Sequence, residues 1–390
     1  MSSNQLNIPA ALEALTAVLP ANALPASLHE PEFGEHEQAL VAACLKSGWV
    51  SYAGPQVREF EARLAATCDR RHAISMVSGT AALHAALMLA GVERDEEVII
   101  PALTFAATAN AVAYCGAIPH LVDCEEHTLG IDPEALRKRL QEIAVTEGGG
   151  LRNRQSGRRI AAVVPVHVMG HPSSDDRIAE VAQSFNLPLI LDATESLGSL
   201  RNNRPAAAGG LMSVLSFNGN KIITTGGGGA LLIDDDVLAE RARHITTTAK
   251  QPHRWAFMHD QLGYNYRMPN LNASLGLGQL ERLPDFVARK RALAARYRAA
   301  CSEIDGLDFI NEPDGTQSNY WLNTIKLTQP QRRDEFLQAL QDHGLMARPL
   351  WEPMHRLPMY RDAPRADLSC TEDLVARVIC LPSSPKLAVQ

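Results

Sequence analysis

Between about residues 70 and 235, short and continuously apolar runs alternate with segments whose apolar positions recur at helical spacing. The runs "HAISMV", "EEVIIPA", "IPHLVDC", "RIAAVVPV", "LPLILDA", "SVLSF" and "GALLIDD" predict strands. The segments "SGTAALHAALMLAG", "TFAATANAVAYCG" and "IDPEALRKRL" predict helices, the last opened by Asp132 as cap with Pro133 in its first turn. Strands that are apolar throughout, separated by helices, point to a mostly parallel sheet covered on both faces. The expected class is therefore α/β.

Beyond about residue 240 the pattern changes. "NLNASLGLGQLERL" and "DFVARKRALAARYRAACSEI" predict two helices broken at Pro284. "SNYWLNTIKL" and "LMARPLW" predict strands; "RRDEFLQALQDHG" and "EDLVARVIC" predict helices. This reads as a second, smaller α/β unit. The polar, glycine-rich stretch 146–159 reads as a mobile surface insertion. The expected division is an N-terminal extension over 1–30, a large unit over 31–265 and a small unit over 266–390.

Composition narrows the class. Of 390 residues, 46% are apolar and 21% charged, with a net charge of -7, which suits a globular protein without a nucleic-acid-binding face. The seven cysteines are scattered, with no C-x-x-C pair, so free thiols and a cytoplasmic location are expected. The N-terminal apolar patch lacks a basic flank and is interrupted by Glu13, so it reads as a short amphipathic helix, not a signal peptide. No run approaches the ~20 apolar residues of a membrane span.

Three segments carry candidate chemistry. In "SFNGNKIITTGGGG", Lys221 stands among small and uncharged residues, with Ser216 before it and Gly226 to Gly229 after it. A desolvated lysine loses basicity, and a neutral amine attacks a carbonyl; the alternative is a lysine that snorkels to the surface. The glycines follow the lysine, so a P-loop is excluded. They read instead as close backbone passage. In "MVSGTAALHAAL", Ser78, Gly79 and Thr80 begin a helix, either as an ordinary cap or as an anion site. In "LPLILDATESLGS", Asp192 closes an apolar strand, as a cap or as a carboxylate facing a ligand crevice. Amine, acid and anion site together suit pyridoxal 5′-phosphate. His167 and His171 are four apart, but Pro165, Gly170 and Pro172 argue against the helix that a metal pair at that spacing would need.

Those motifs, with "PALTFAATANAV", "PVHVMGHP", "GYNYRMPNLNASLGLGQLE" and "RPLWEPMHRLPMY", resemble the DegT/DnrJ/StrS family of sugar aminotransferases, of aspartate aminotransferase-like fold. The wording of "SFNGNKIITTGGGGALL" and "DATESLGS" is most similar to the branch acting on UDP-linked 4-keto-6-deoxy-N-acetylhexosamine. GDP-linked 4-keto-6-deoxymannose is the other substrate considered, and a non-catalytic sensor the reading from another class. The resemblance implies that Lys221 holds the cofactor aldehyde and carries the proton. Asp192 pairs with the pyridine nitrogen, Glu195 lies near the ring hydroxyl and Phe105 stacks on the ring. Gly79, Thr80 and Ser216 hold the phosphate. Asn265 reaches the neighbouring subunit's site, which implies a homodimer. Ser51, His167 and His355 are implied substrate contacts, and glutamate the amino donor. Trp321 reads as a core residue.

Overall fold

The computed structural model describes residues 6–388. The strands are β1 (His72–Met76), β2 (Glu97–Pro101), β3 (Ile118–Val122), β4 (Ala144–Glu147), β5 (Gly150–Asn153), β6 (Ile160–Val163), β7 (Ile190–Asp192), β8 (Leu200–Arg201), β9 (Arg204–Pro205), β10 (Met212–Ser216), β11 (Gly229–Ile233), β12 (Leu307–Phe309), β13 (Thr316–Gln317), β14 (Asn323–Leu327), β15 (Arg348–Pro349) and β16 (Val378–Leu381). The helices are α1 (Ile8–Ala17), α2 (Glu35–Ser47), α3 (Pro55–Thr67), α4 (Gly79–Leu89), α5 (Ala106–Tyr114), α6 (Pro133–Ile143), α7 (Asp175–Ser184), α8 (Asp236–Thr246), α9 (Asn270–Ser302), α10 (Arg333–Asp342) and α11 (Ser369–Arg377).

The large sheet runs β3-β2-β6-β7-β10-β11-β1, with β6 joined to β7 through the parallel bridges Val163–Leu189 and Val166–Asp192. It is parallel except at β11, which pairs antiparallel with both β10 and β1. The register sets Met76 and Ser216 on either side of Gly229, and Val214 beside Asp192. The carboxyl ends of β1, β7 and β10 therefore share one rim, where ligands bind in open α/β sheets. Each strand is buried on both faces, which explains the continuous apolar runs.

A second sheet, β12-β14-β16-β15, is antiparallel. Its core includes Leu293, Tyr297, Ile325, Phe336 and Ile379, and also Ile8, Ala11 and Leu15 of the N-terminal helix. The run "VIC", expected to end a helix, instead forms the interior strand β16. Its β-branched residues fit a buried pleat better than a helix end.

Two further expectations are corrected. Helix α9 runs unbroken for 33 residues through Pro284. Pro284 itself is exposed, while Leu283 and Phe286 beside it are buried. Pro284 cannot donate to the Leu280 carbonyl one turn back, and the packing of Leu280, Leu283 and Phe286 keeps the helix continuous across it. Its first half packs in the core under the large sheet and its second half in the small-sheet core. The 146–159 stretch is not an unstructured insertion. β4 and β5 form a hairpin in which Gly148 and Gly149 turn at φ 60 and 79. Two adjacent glycines at positive φ meet the demand of a tight I′ turn. The end of the hairpin is tied down, because Asn153 Nδ2 and Ser156 Oγ donate to the buried Glu97 at 2.8 and 2.6 Å.

Candidate active site

A cavity of about 390 Å³ opens at the shared rim. Gly79, Thr80, Phe105, Asp192, Glu195, Ser216 and Lys221, drawn from far-apart segments, all line it.

The start of α4 forms one wall. Ser78 caps the helix by accepting from Ala81 N at 3.1 Å. The Gly79 and Thr80 amides ahead of it have no acceptor within the helix, and the helix dipole adds positive potential there. Gly79 has no room for a side chain, because a Cβ would lie 2.9 Å from Ser216 Cβ. The glycine run passes behind this helix start. A Cβ on Gly229 would lie 2.5 Å from Gly79 N, and one on Gly228 would lie 2.3 Å from Thr225 Oγ1. A Cβ on Gly227 would meet open space, so the tight passage belongs to the last two glycines.

Asp192 is buried at the end of β7. Its Oδ2 accepts from Thr108 Oγ1 at 2.7 Å and its Oδ1 from Thr194 Oγ1 at 2.7 Å. These two donors fix the direction of the carboxylate. Lys221 Nζ donates to Glu195 Oε1 at 3.0 Å, and Glu195 Oε2 accepts from Met169 N at 2.8 Å. Burial raises the Glu195 carboxyl above its ordinary value, against the opposing pull of Lys221 and the Met169 amide. Phe105 stands exposed at the mouth, edge-to-face with Trp351 at 6.1 Å.

An amine, a buried and aimed carboxylate, and a helix start with a glycine fitted against Ser216 match the three ends of pyridoxal 5′-phosphate. Residues 31–390 match the family model of the DegT/DnrJ/EryC1/StrS aminotransferases. The chain belongs to this family. It is 35% identical to EpsN of Bacillus subtilis (strain 168) over 364 residues, 92% of this chain and 91% of that one. It is 33% identical to the GDP-perosamine synthase of Escherichia coli O157:H7, covering 93% of this chain and 94% of that one. It is similar to the crystal structure of DesI in the presence of its TDP-sugar product, at 30% identity and a TM-score of 0.81, covering 93% of this chain and 89% of that one. The fold is that of the pyridoxal-phosphate aminotransferases of this family, and the protein is a pyridoxal-phosphate-dependent aminotransferase.

Four expected site residues lie outside the cavity lining. His167 is buried, its ring nitrogens against Ser196 Oγ at 2.7 Å and Asp175 Oδ2 at 2.9 Å. His355 Nε2 meets Glu372 Oε1 at 2.5 Å. Ser51 is exposed, and its carbonyl accepts from Asn270 N at 3.2 Å. Asn265 is exposed between Tyr264 and Tyr266. Thr108, Thr194 and Trp321 also line the cavity and were not expected there from the sequence. Thr108 follows Phe105 by one helical turn, which places both at the start of α5. Thr194 follows Asp192 by two, a spacing at which an Asp side chain bonds local backbone. Trp321 is buried as expected, yet it also lines the cavity; nothing local in "SNYWLN" signals that.

Among the described residues no helix is long and apolar enough to cross a membrane.

Proposed function

We propose that the protein transfers an amino group to the 4-keto carbon of a nucleotide-linked 4-keto-6-deoxy sugar, with UDP-4-keto-6-deoxy-N-acetylhexosamine as substrate and glutamate as donor. The product would be a 4-amino sugar for surface glycan assembly in the cytoplasm. One observation carries the catalytic part: Lys221, Glu195 and Asp192 converge at one rim, opposite the start of α4. The bound cofactor supplies an electron sink beside the carbon whose proton is exchanged. Lys221 Nζ moves that proton, and its sheltered position keeps the proton from bulk water. Asp192 holds a proton at the pyridine nitrogen. Gly79, Thr80 and Ser216 bind the phosphate, and Phe105 covers the ring from the mouth.

The substrate assignment is supported by the wording around Lys221 and Asp192. A second reading, GDP-4-keto-6-deoxymannose, is supported by the 33% identity to a GDP-perosamine synthase. A homodimer with shared sites is supported by the segment before Asn265, where Trp255, Phe257 and Leu262 are 75%, 77% and 79% exposed. Such apolar exposure is a mark of an interface.

The test pairs the two keto sugars with glutamate and the holoenzyme, and reads the product by mass. The UDP-linked substrate is expected to gain an amino group. Turnover of the GDP-linked sugar alone would establish the second reading. Full activity in Lys221→Ala, or no turnover of any keto sugar by cofactor-loaded protein, would sink the enzymatic proposal.

A further inference from the structure

Lys221 has a second neighbour that the proposed function does not use. Its Nζ lies 4.1 Å from the centroid of the Trp321 ring, and the Glu195 carboxylate is 3.0 Å away. Trp321 precedes β14 of the small sheet, so this contact joins the two sheets at the amine.

Several bonds bring the indole there. Trp321 Nε1 donates to Asn220 O at 2.6 Å, clamping the residue before the lysine. Trp321 N donates to Asn319 Oδ1 at 2.7 Å. Asn319 Nδ2 in turn donates to Glu195 O and Leu197 O at 2.8 and 2.9 Å. The segments carrying Trp321 and Glu195 are therefore bonded to each other. The buried Lys290 donates to Trp321 O at 3.0 Å and also to Ser383 O.

The backbone is strained on both sides. Tyr320 takes φ 46 and Met169 takes φ 57. Bulky residues adopt this region only where their surroundings force it, and such strain clusters at functional sites. Gly170 shows how closely the segments meet: a Cβ there would lie 2.1 Å from Asn319 Oδ1 and 2.8 Å from Trp321 N.

We propose that Trp321 and Glu195 form a holding site for the Lys221 ammonium group, with Trp321 a positioning residue that sets where the amine rests when it is not joined to the cofactor. This rests on the reading of Lys221 as the cofactor-linking lysine. An aromatic face attracts a cation, and a carboxylate binds it through a charge-assisted hydrogen bond. A lysine that leaves a carbonyl, carries a proton and returns must stay within reach throughout. A free lysine side chain would otherwise spread over many rotamers.

The other titratable groups around the amine are Asp192 from the large sheet, Cys380 near Glu195, His29 from the segment before α2, and Lys290 from α9. Both His29 ring nitrogens are buried without a partner. Burial and the two lysines hold His29 well below the ordinary histidine value, so it stays neutral. None of these groups is altered by the variants below.

The test uses holoenzyme loaded with pyridoxamine 5′-phosphate, in which Lys221 is not joined to the cofactor. Lys221 acetylation by acetic anhydride is followed against pH and read on its peptide by mass. Both partners contact the free amine, so removing either should make it easier to label. Below the wild-type midpoint, Trp321→Leu and Glu195→Gln should each raise labelling about 3- to 30-fold. Trp321→Phe, which keeps a ring face but loses the donor to Asn220, should give a smaller rise. Unchanged labelling in both Trp321 variants overturns the proposal even if activity falls. Should Trp321→Leu fail to fold, unchanged labelling in Trp321→Phe overturns it. Borohydride reduction of the pyridoxal-phosphate holoenzyme separates the two readings. A reduced cofactor on another lysine overturns the role of Lys221 and this proposal with it. A cofactor on Lys221 with unchanged labelling overturns the holding site alone.

Discussion

Thr108 Oγ1 donates to Asp192 Oδ2 at 2.7 Å, so a helix that follows β2 aims the carboxylate that ends β7. The acid is thus held from two directions, by Thr194 in its own turn and by Thr108 across the rim. Asp192→Asn preserves the volume and removes the charge. It should lower kcat by about 10²–10³, the scale of one lost electrostatic partner at a reacting centre. Thr108→Val should cost about tenfold, as for other residues that orient a site residue. Steady-state transamination, with the visible cofactor spectrum of each variant, checks both values. Equal losses would mean that Thr108 does more than orient.

The glycine run separates into two kinds of position. Gly229→Ala puts a Cβ 2.5 Å from the Gly79 amide and should cost about 1–3 kcal/mol of stability. Because the displaced amide belongs to the start of α4, cofactor affinity should fall as well. Gly227→Ala meets open space and should stay within about 0.5 kcal/mol of the parent. Thermal unfolding and cofactor titration of the pair measure this contrast. Matching behaviour of the two variants would remove close backbone passage as the reason for the run.

Glu97 anchors the far end of the sheet. It is buried and meets His120 Nδ1 at 2.8 Å, while His120 Nε2 accepts from Arg139 Nε at 2.9 Å. Glu97→Ala leaves this network without its acid and frees the hairpin, and should cost about 3–5 kcal/mol. Burial alone would raise the Glu97 carboxyl, but the bonds from His120, Asn153 and Ser156 outweigh it and hold the group below its ordinary value. A carboxyl depressed in the folded state stabilises the fold above its unfolded pKa. That contribution is lost as pH falls through the lower folded value. Denaturant unfolding should therefore show wild-type stability dropping below about pH 4, with a shallower drop in Glu97→Gln. A steeper drop in the variant would contradict this account.

Pro284 sits exposed inside an unbroken helix. Replacing it with Ala restores a helical N–H and removes the ring's clash with the preceding turn. Loss of the stiff unfolded-state residue offsets part of the ~3 kcal/mol helix penalty of proline. Pro284→Ala should stabilise by about 1–2 kcal/mol, read as a rise in unfolding midpoint. A fall would show that α9 depends on the proline itself.

Lys221, Asp192 and the start of α4 were legible in the sequence because each sits where a strand gives way to a turn, and such a place is written in a few adjacent residues. Thr108 could have been found from its one-turn spacing to Phe105. Trp321 could not, since its approach to Lys221 depends on how the small sheet docks. Pro284 misled because an isolated helix would break there, whereas α9 has core contacts on both sides of the exposed proline. The glycines of 148–149 misled because the same composition suits a loose linker and a tight hairpin turn.

By itself the sequence determined the α/β class, the strand ends that line the cavity and the family. Apolar runs record burial on both faces of a sheet, and turn residues record where strands stop. Only the tertiary structure decided that Glu195 and Trp321 both meet the Lys221 amine, that His167 turns into the protein, and that the last two glycines are the tight ones. Those are distances between segments far apart in the chain. They depend on strand order, on register and on the strained backbone at Met169 and Tyr320, none of which any single stretch encodes.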